Sequence, residues 1–136
     1  MDIENVRKIL SESDGLAFTL GMNFESTLEP DTCRATMCVD GRTSQPFGYL
    51  SGGASLALAE TLAGVGSSAL CPGLMCMGVN VNGNHIKAAR RGTKVTATAR
   101  IVHKGHRLHV WHVDIVGEDG ELVSTVSVTN YIIGVQ

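Results

Sequence analysis

Apolar residues near the start of the chain recur at the spacing of one helix face. They lie three or four positions apart, at Ile3, Val6, Ile9 and Leu10. Gly15 follows this group, and glycine is typical of the position just beyond a helix end. The spacing therefore predicts a short amphipathic helix at the start of the chain.

The pattern then changes to alternation, in which every second residue is apolar. Residues 16–24 and 33–39 both show it, and the turn sequence Glu29-Pro30-Asp31 separates them. A period of two is typical of a half-buried strand. We expect two strands here, paired with each other.

Residues 51–68 form an Ala- and Leu-rich segment that is apolar almost all round, which predicts a helix enclosed by other structure. Cys71-Pro72-Gly73 ends it. Four strand-like stretches follow, at residues 74–85, 93–104, 106–116 and 122–133. The short turns Arg91-Gly92, Gly105 and Asp119-Gly120 join them and fit antiparallel hairpins.

This order of elements favours an α+β fold in which a curved antiparallel sheet wraps around one long buried helix. The concave face of such a sheet and the helix bury each other. With 136 residues, the chain has the length of one domain, and we expect residues 1–136 to form it.

Composition adds an expectation about assembly. Hydrophobic residues make up 43% of the chain and charged residues 18%, below the usual ~25%. Surplus apolar surface on a small chain suggests that subunits bury it against each other. A net charge of -2 and few aromatic residues argue against nucleic-acid binding. The acidic start, Met1 to Asn5, lacks a secretory signal, and no apolar stretch suits a membrane span, so we expect a cytoplasmic protein.

The charges are segregated along the chain. From Thr61 through Val113 there is no Asp or Glu, while seven Lys and Arg residues and all five histidines lie there. One interpretation is a solvated basic face of the sheet. The other is a site for a polyanionic small molecule, since clustered Arg and Lys bind phosphates.

Glu60 is the only charged residue on the predicted apolar helix. Removing an unpaired carboxylate from water costs several kcal/mol. A functional interpretation is that Glu60 faces a cavity, a partner or a substrate. The alternative is a Glu that emerges on a wet stripe of the helix or at a subunit boundary.

Ser51-Gly52-Gly53 precedes that helix. Serine is a favoured N-cap, and the glycines allow another group to approach the helix amides closely. Such amides could polarise a carbonyl as an oxyanion site. An ordinary cap after a loop is the alternative.

Other suggestive patterns carry less weight. The four cysteines have no common zinc or redox spacing, and we expect them to be reduced. Histidines recur at 103, 106, 109 and 112, but strand geometry sends His106 and His112 to one face and His109 to the other. We therefore expect no metal site.

The chain resembles the hotdog-fold thioesterases, in the subgroup that includes 1,4-dihydroxy-2-naphthoyl-CoA, phenylacetyl-CoA and one type of 4-hydroxybenzoyl-CoA thioesterases. Residues 45–54 (QPFGYLSGGA) with Glu60, and Asn82-Gly83-Asn84-His85 through Arg91-Gly92, carry the resemblance. It implies a homodimer whose two sheets join, usually paired into a homotetramer as a dimer of dimers, with active sites at subunit interfaces.

The resemblance also implies roles for individual residues. Glu60 would attack the thioester or activate water, Gly52 would present its amide to the thioester oxygen, and Gln45 would orient the carbonyl or the water. The glutamine and glycine would face the glutamate of the neighbouring subunit. The CoA phosphates would lie along a basic stretch made of His85, Lys87, Arg90, Arg91 and Arg107. From the residues alone, Phe47, Tyr49 and the apolar helix face could line an aromatic acyl pocket, with Gly53 leaving room for the substrate. The alternative is that these aromatic side chains belong to the core.

Two positions depart from the family pattern. Ser51 stands where the family has His, and Gly64 stands where it has Ser or Thr. We expect an enzyme that hydrolyses an acyl-CoA thioester, with an aromatic or short acyl group, to free acid and CoA, without a cofactor. Ser51 could reduce its activity. The alternative is a non-catalytic or weakly active acyl-CoA-binding hotdog protein.

Overall fold

The computed structural model describes residues 1–134, which form three helices and six strands. In chain order they are α1 (Glu4–Ser11), α2 (Leu16–Leu20), β1 (Asn23–Glu25), β2 (Thr32–Cys38), α3 (Gly52–Leu70), β3 (Leu74–His85), β4 (Lys94–Lys104), β5 (Leu108–Val116) and β6 (Leu122–Gly134). The strands form one antiparallel sheet in the order β1-β2-β4-β5-β6-β3.

Helix α3 is packed against the inner face of this sheet. Its apolar side chains, such as Leu58 and Leu62, are fully buried, as are Trp111 and Val113 on β5. The prediction of an α+β fold with one enclosed helix is therefore confirmed. No helix within residues 1–134 combines the length and the hydropathy needed to cross a membrane.

A buried hydrogen-bond network centred on Ser67 joins α3 to the sheet. The Ser67 hydroxyl accepts hydrogen bonds from Trp111 Nε1 at 2.9 Å and Asn130 Nδ2 at 3.0 Å. It lies 2.8 Å from His109 Nδ1. Because its oxygen already accepts twice, the hydroxyl donates its own hydrogen to His109. The network satisfies four polar side chains inside an apolar core.

The first predicted strand is present only at its end, where β1 pairs with β2 as expected. Residues 16–20 form the single-turn helix α2, and only the short β1 follows. Gly15 and Gly21 bracket this turn with positive φ angles of 144° and 71°. Phe18 is 70% exposed, so the alternating residues do not share a buried face. The alternation therefore did not indicate a strand, and glycines at both ends allowed a helical turn instead.

The expected hairpin at Arg91-Gly92 is also wrong. Strand β3 pairs with β6 at one edge of the sheet and does not pair with β4. The intervening segment pairs instead with the loop before α3, where Leu50 N–H donates to Ala89 O at 2.8 Å and Tyr49 bridges Arg90. The hairpins at Gly105 and Asp119-Gly120 are confirmed.

The cysteines and histidines differ in their burial. The four cysteines are free, and burial raises the pKa of the Cys33 thiol to about 12, which keeps it protonated. His109 is buried while His106 and His112 are exposed, so the two faces were assigned correctly. Within residues 1–134 no three His, Cys, Asp or Glu side chains are grouped to hold a metal ion.

The contact between α3 and β5 predicts a stability difference between two glycines of the same helix. A Cβ at Gly66 would lie 2.4 Å from Trp111 Cη2, whereas a Cβ at Gly64 would meet nothing among residues 1–134 within 4 Å. We expect Gly66→Ala to lower the free energy of unfolding by about 1–3 kcal/mol through overpacking. Gly64→Ala adds the same methyl group and should be neutral or stabilise the helix by up to about 1 kcal/mol. Chemical denaturation of both variants measures the difference, and equal effects would contradict the packing argument.

Candidate active site

A pocket of about 320 Å³ lies at the N-terminal end of α3. The loop before the helix, the start of the helix and the end of β3 surround it, and β6 forms its floor. The residues that line it include Gln45, Gly52, Ser55, His85, Lys87 and Ser124. Four predicted site residues from three parts of the chain are therefore brought together: Gln45, Gly52, His85 and Lys87.

The loop before α3 fixes the Gln45 side chain. Gln45 N–H donates to Tyr49 O at 2.8 Å and Gly48 N–H donates to Gln45 O at 3.1 Å, which closes a tight turn with Gly48 at φ +90°. The side-chain oxygen of Gln45 accepts the N–H of Phe47. With that oxygen occupied, the side-chain NH₂ group is the part of Gln45 left to donate to a ligand. Phe47 itself is 83% exposed and does not line the pocket.

The start of α3 presents unpaired amides. Ser51 O accepts the N–H groups of Ala54 and Ser55, both at 3.1 Å, while Gly52 and Gly53 have no backbone acceptor within residues 1–134. The Ser51 hydroxyl makes no capping hydrogen bond, so the expected side-chain cap is absent. The first amides of a helix carry the positive end of its dipole. They therefore form a donor site for a carbonyl oxygen or an anion.

His85 lies against this helix start, in the pocket that Lys87 also lines. Its Nδ1 is 2.8 Å from the hydroxyl of Ser124 on β6. A Cβ at Gly52 would lie only 2.6 Å from His85 Nε2, so the imidazole occupies the space that a side chain there would need. Ser124 was not predictable from the sequence, because it lies 39 residues from His85 and leaves no local pattern.

Glu60 lies outside this pocket of its own chain. It is eight residues beyond Gly52, which corresponds to about 12 Å along the helix axis. The side chain is half-buried against β3, where a Cβ at Gly78 would lie 3.1 Å from Glu60 Cδ. No ion pair within residues 1–134 involves it. One chain therefore holds the donors and the carboxylate at separate points along α3.

The predicted basic residues divide into two groups. Lys87, Arg90 and Arg91 follow β3 at the pocket end of the sheet, and all three are exposed. Lys87 Nζ pairs with Asp119 at 3.0 Å and also with Glu121. The carbonyl of Arg107 accepts a hydrogen bond from Ile132 N–H on β6. Ile132 lies eight residues beyond Ser124 on that strand, so this end of β6 is about 26 Å from the pocket. The chain does not bring Arg107 to the pocket.

Strand β3 is exposed along its whole length. Each of its twelve residues is exposed or half-buried, and within the described part of the chain it has a strand neighbour on only one side. Several of its large apolar side chains are exposed to solvent, among them Leu74, Met75, Met77 and Val79. A long apolar edge strand is a template for pairing with another chain.

Comparison with known proteins identifies the family. The family model described as the thioesterase superfamily matches residues 47–124, a range that contains the α3 start and Glu60. The 1,4-dihydroxy-2-naphthoyl-CoA hydrolase of Escherichia coli is 39% identical over 115 residues, which cover 84% of this chain and 83% of the relative. The hydrolase of the same name from Listeria monocytogenes is 36% identical over 110 residues, 80% of this chain and 88% of the relative.

A solved structure agrees with these relatives. The crystal structure of thioesterase HI1161 from Haemophilus influenzae matches with a TM-score of 0.87 and 38% identity, over 98% of this chain and 92% of that one. The hotdog fold and a thioester hydrolase, both expected from the sequence, are confirmed. The chain belongs to the thioesterase superfamily.

Proposed function

We propose that the protein hydrolyses acyl-CoA thioesters, with an aromatic or short acyl group, in a site assembled from two chains. The observation that supports this most directly is the pocket in which Gln45 and the free Gly52 amide converge. Preorganised donors of this kind stabilise the oxyanion that develops during acyl transfer.

In this proposal the thioester carbonyl oxygen accepts hydrogen bonds from Gly52 N–H and from the side-chain NH₂ of Gln45. Glu60 supplies the carboxylate, either as a nucleophile that forms an anhydride or as a base that deprotonates water. The carbon–sulfur bond breaks in either route, CoA leaves as its thiolate, and water supplies the oxygen of the free acid.

The carboxylate comes from the neighbouring chain. Glu60 lies eight positions beyond Gly52 on α3, too far for both to act on one carbonyl within a chain. Pairing of two β3 strands across a twofold axis would cover the exposed apolar edge and join the two sheets. We propose a homodimer of this kind, with pairs of dimers forming a tetramer.

The phosphates of CoA bind the exposed basic residues beside the pocket, chiefly Arg90 and Arg91. Lys87 is already paired with two carboxylates, and Arg107 would contribute from the neighbouring chain. The acyl group lies near the exposed Gly53 and Phe47. The name of the Escherichia coli relative supports an aromatic acyl group.

A protein that binds acyl-CoA with little or no turnover is the second candidate. It is favoured by Ser51, which stands in place of the family histidine and makes no hydrogen bond to the helix amides. Release of free thiol from a panel of aromatic and short aliphatic acyl-CoAs separates the two candidates, because only hydrolysis produces CoA.

Replacing the carboxylate tests the chemistry. We expect Glu60→Gln to lose nearly all turnover, since the amide can neither attack nor accept the proton. Ligand binding should persist. Glu12→Gln makes the same change on an exposed residue outside the pocket and should match the wild type. Thiol release and calorimetric binding of CoA measure the two effects, and undiminished hydrolysis by Glu60→Gln would refute the assignment.

Mixing two inactive variants tests the two-chain site. We expect Glu60→Gln and Gln45→Ala to be inactive alone but to recover activity when refolded together in equal amounts. Random pairing makes half of the dimers hybrids with one intact site in two, so about a quarter of wild-type activity should return. No recovery, with hybrids detected by mass spectrometry, would place the whole site within one chain.

Shortening the substrate tests the phosphate contacts. We expect Arg90→Ala to raise KM for an acyl-CoA by about tenfold, the effect of one lost charged contact. The acyl-N-acetylcysteamine thioester lacks phosphates and should show little change. Arg7→Ala, a distant surface change, serves as control. Equal losses with both substrates would point away from a phosphate contact.

A further inference from the structure

The imidazole of His85 lies at the start of α3, where the Ser51 side chain supplies no imidazole. In the sequence, His85 belongs to the stretch of basic residues. In the structure its ring is packed against Gly52, where a Cβ would lie 2.6 Å from Nε2. His85 lines the pocket of Gln45 and Gly52 and not the adjacent cleft that contains Arg90, while Lys87 lines both. The ring therefore belongs with the amide donors.

The hydrogen bond to Ser124 determines which ring nitrogen carries the hydrogen. Ser124 is fully buried, and among residues 1–134 its hydroxyl is bonded to His85 Nδ1. If Nδ1 carried the hydrogen, the hydroxyl hydrogen would be buried without an acceptor, which is costly. The hydroxyl therefore donates to Nδ1, and in the neutral ring Nε2 carries the hydrogen. Ser124 thus turns Nε2 into a donor beside the helix start.

We infer that His85 is a catalytic residue whose Nε2–H donates to the thioester carbonyl oxygen together with the Gly52 amide. This inference rests on the proposed hydrolysis. It assigns to His85 the imidazole donor that the family carries at the position of Ser51. It also explains Gly52, because any side chain there would displace the ring while leaving the amide in place. Ser124 acts as a positioning residue, since it reaches the substrate only through the ring.

The first experiment separates a carbonyl contact from a phosphate contact. Steady-state kinetics compare His85→Ala with benzoyl-CoA and with benzoyl-N-acetylcysteamine thioester. Loss of one oxyanion donor costs about a hundredfold or more in kcat, so we expect that loss with both substrates. The exposed His112, bonded to Asp114, provides the matched control His112→Ala, which should match the wild type. A loss confined to KM for benzoyl-CoA, or no loss, would overturn the inference.

The second experiment does not depend on turnover. Two unreactive ligands are used: the ketone in which a methylene replaces the thioester sulfur of benzoyl-CoA, and the analogue in which the carbonyl is reduced to methylene as well. We expect His85→Ala to weaken binding of the ketone about tenfold and to leave the reduced analogue unchanged. Equal effects on both ligands would overturn the inference.

Ser124→Ala supplies the test of positioning. Without its hydroxyl the ring can turn and the hydrogen can move to Nδ1. We expect a smaller loss than for His85→Ala, about tenfold or less, again for the ketone and not for the reduced analogue. A general folding defect would weaken both ligands. Failure of the wild type to release thiol would refute the proposed hydrolysis. The two binding ligands would still decide whether His85 donates a hydrogen bond to the carbonyl oxygen.

Discussion

Helix α3 approaches β5 more closely than any side chain at Gly66 would permit, and the rest of the structure depends on this contact. Trp111 fills the space above Gly66, and Ser67 bonds to the same indole. Together they fix both the height of the helix within the sheet and its rotation about its own axis. The positions of Gly52 at one end of the helix and Glu60 near its middle follow from that placement.

Local spacing predicted most elements because each depends on neighbours along the chain. The enclosed α3 and the Asp119-Gly120 hairpin are of this kind. The failures have a different cause. Residues 16–20 alternate by residue type, yet glycines at both ends allow a helical turn. The pairing of β3 with β6 is set by packing across the whole sheet, and no short pattern records it.

Among the candidate site residues too, some were predictable from the sequence and others were not. Glu60 and Gly52 stand out in the sequence because a charge and paired glycines interrupt an apolar helix. The placement of His85 was not predictable, because it follows from Ser124 on another strand and from the missing side chain at Gly52. For Ser51 the sequence predicted a contact that is absent. Serine often caps a helix through its hydroxyl, but the Ser51 side chain makes no capping hydrogen bond here. Residue propensities describe averages over many proteins, whereas the positions of these side chains depend on particular contacts in this fold.

The open edge of β3 has a consequence for how the chain reaches its native state. Twelve consecutive residues leave backbone donors and acceptors on one side without a strand partner, beside several large apolar side chains. In the proposed homodimer, an identical strand from a second copy would satisfy both requirements at once. Folding and association would then be linked by mass action, and the midpoint of thermal unfolding would rise with protein concentration.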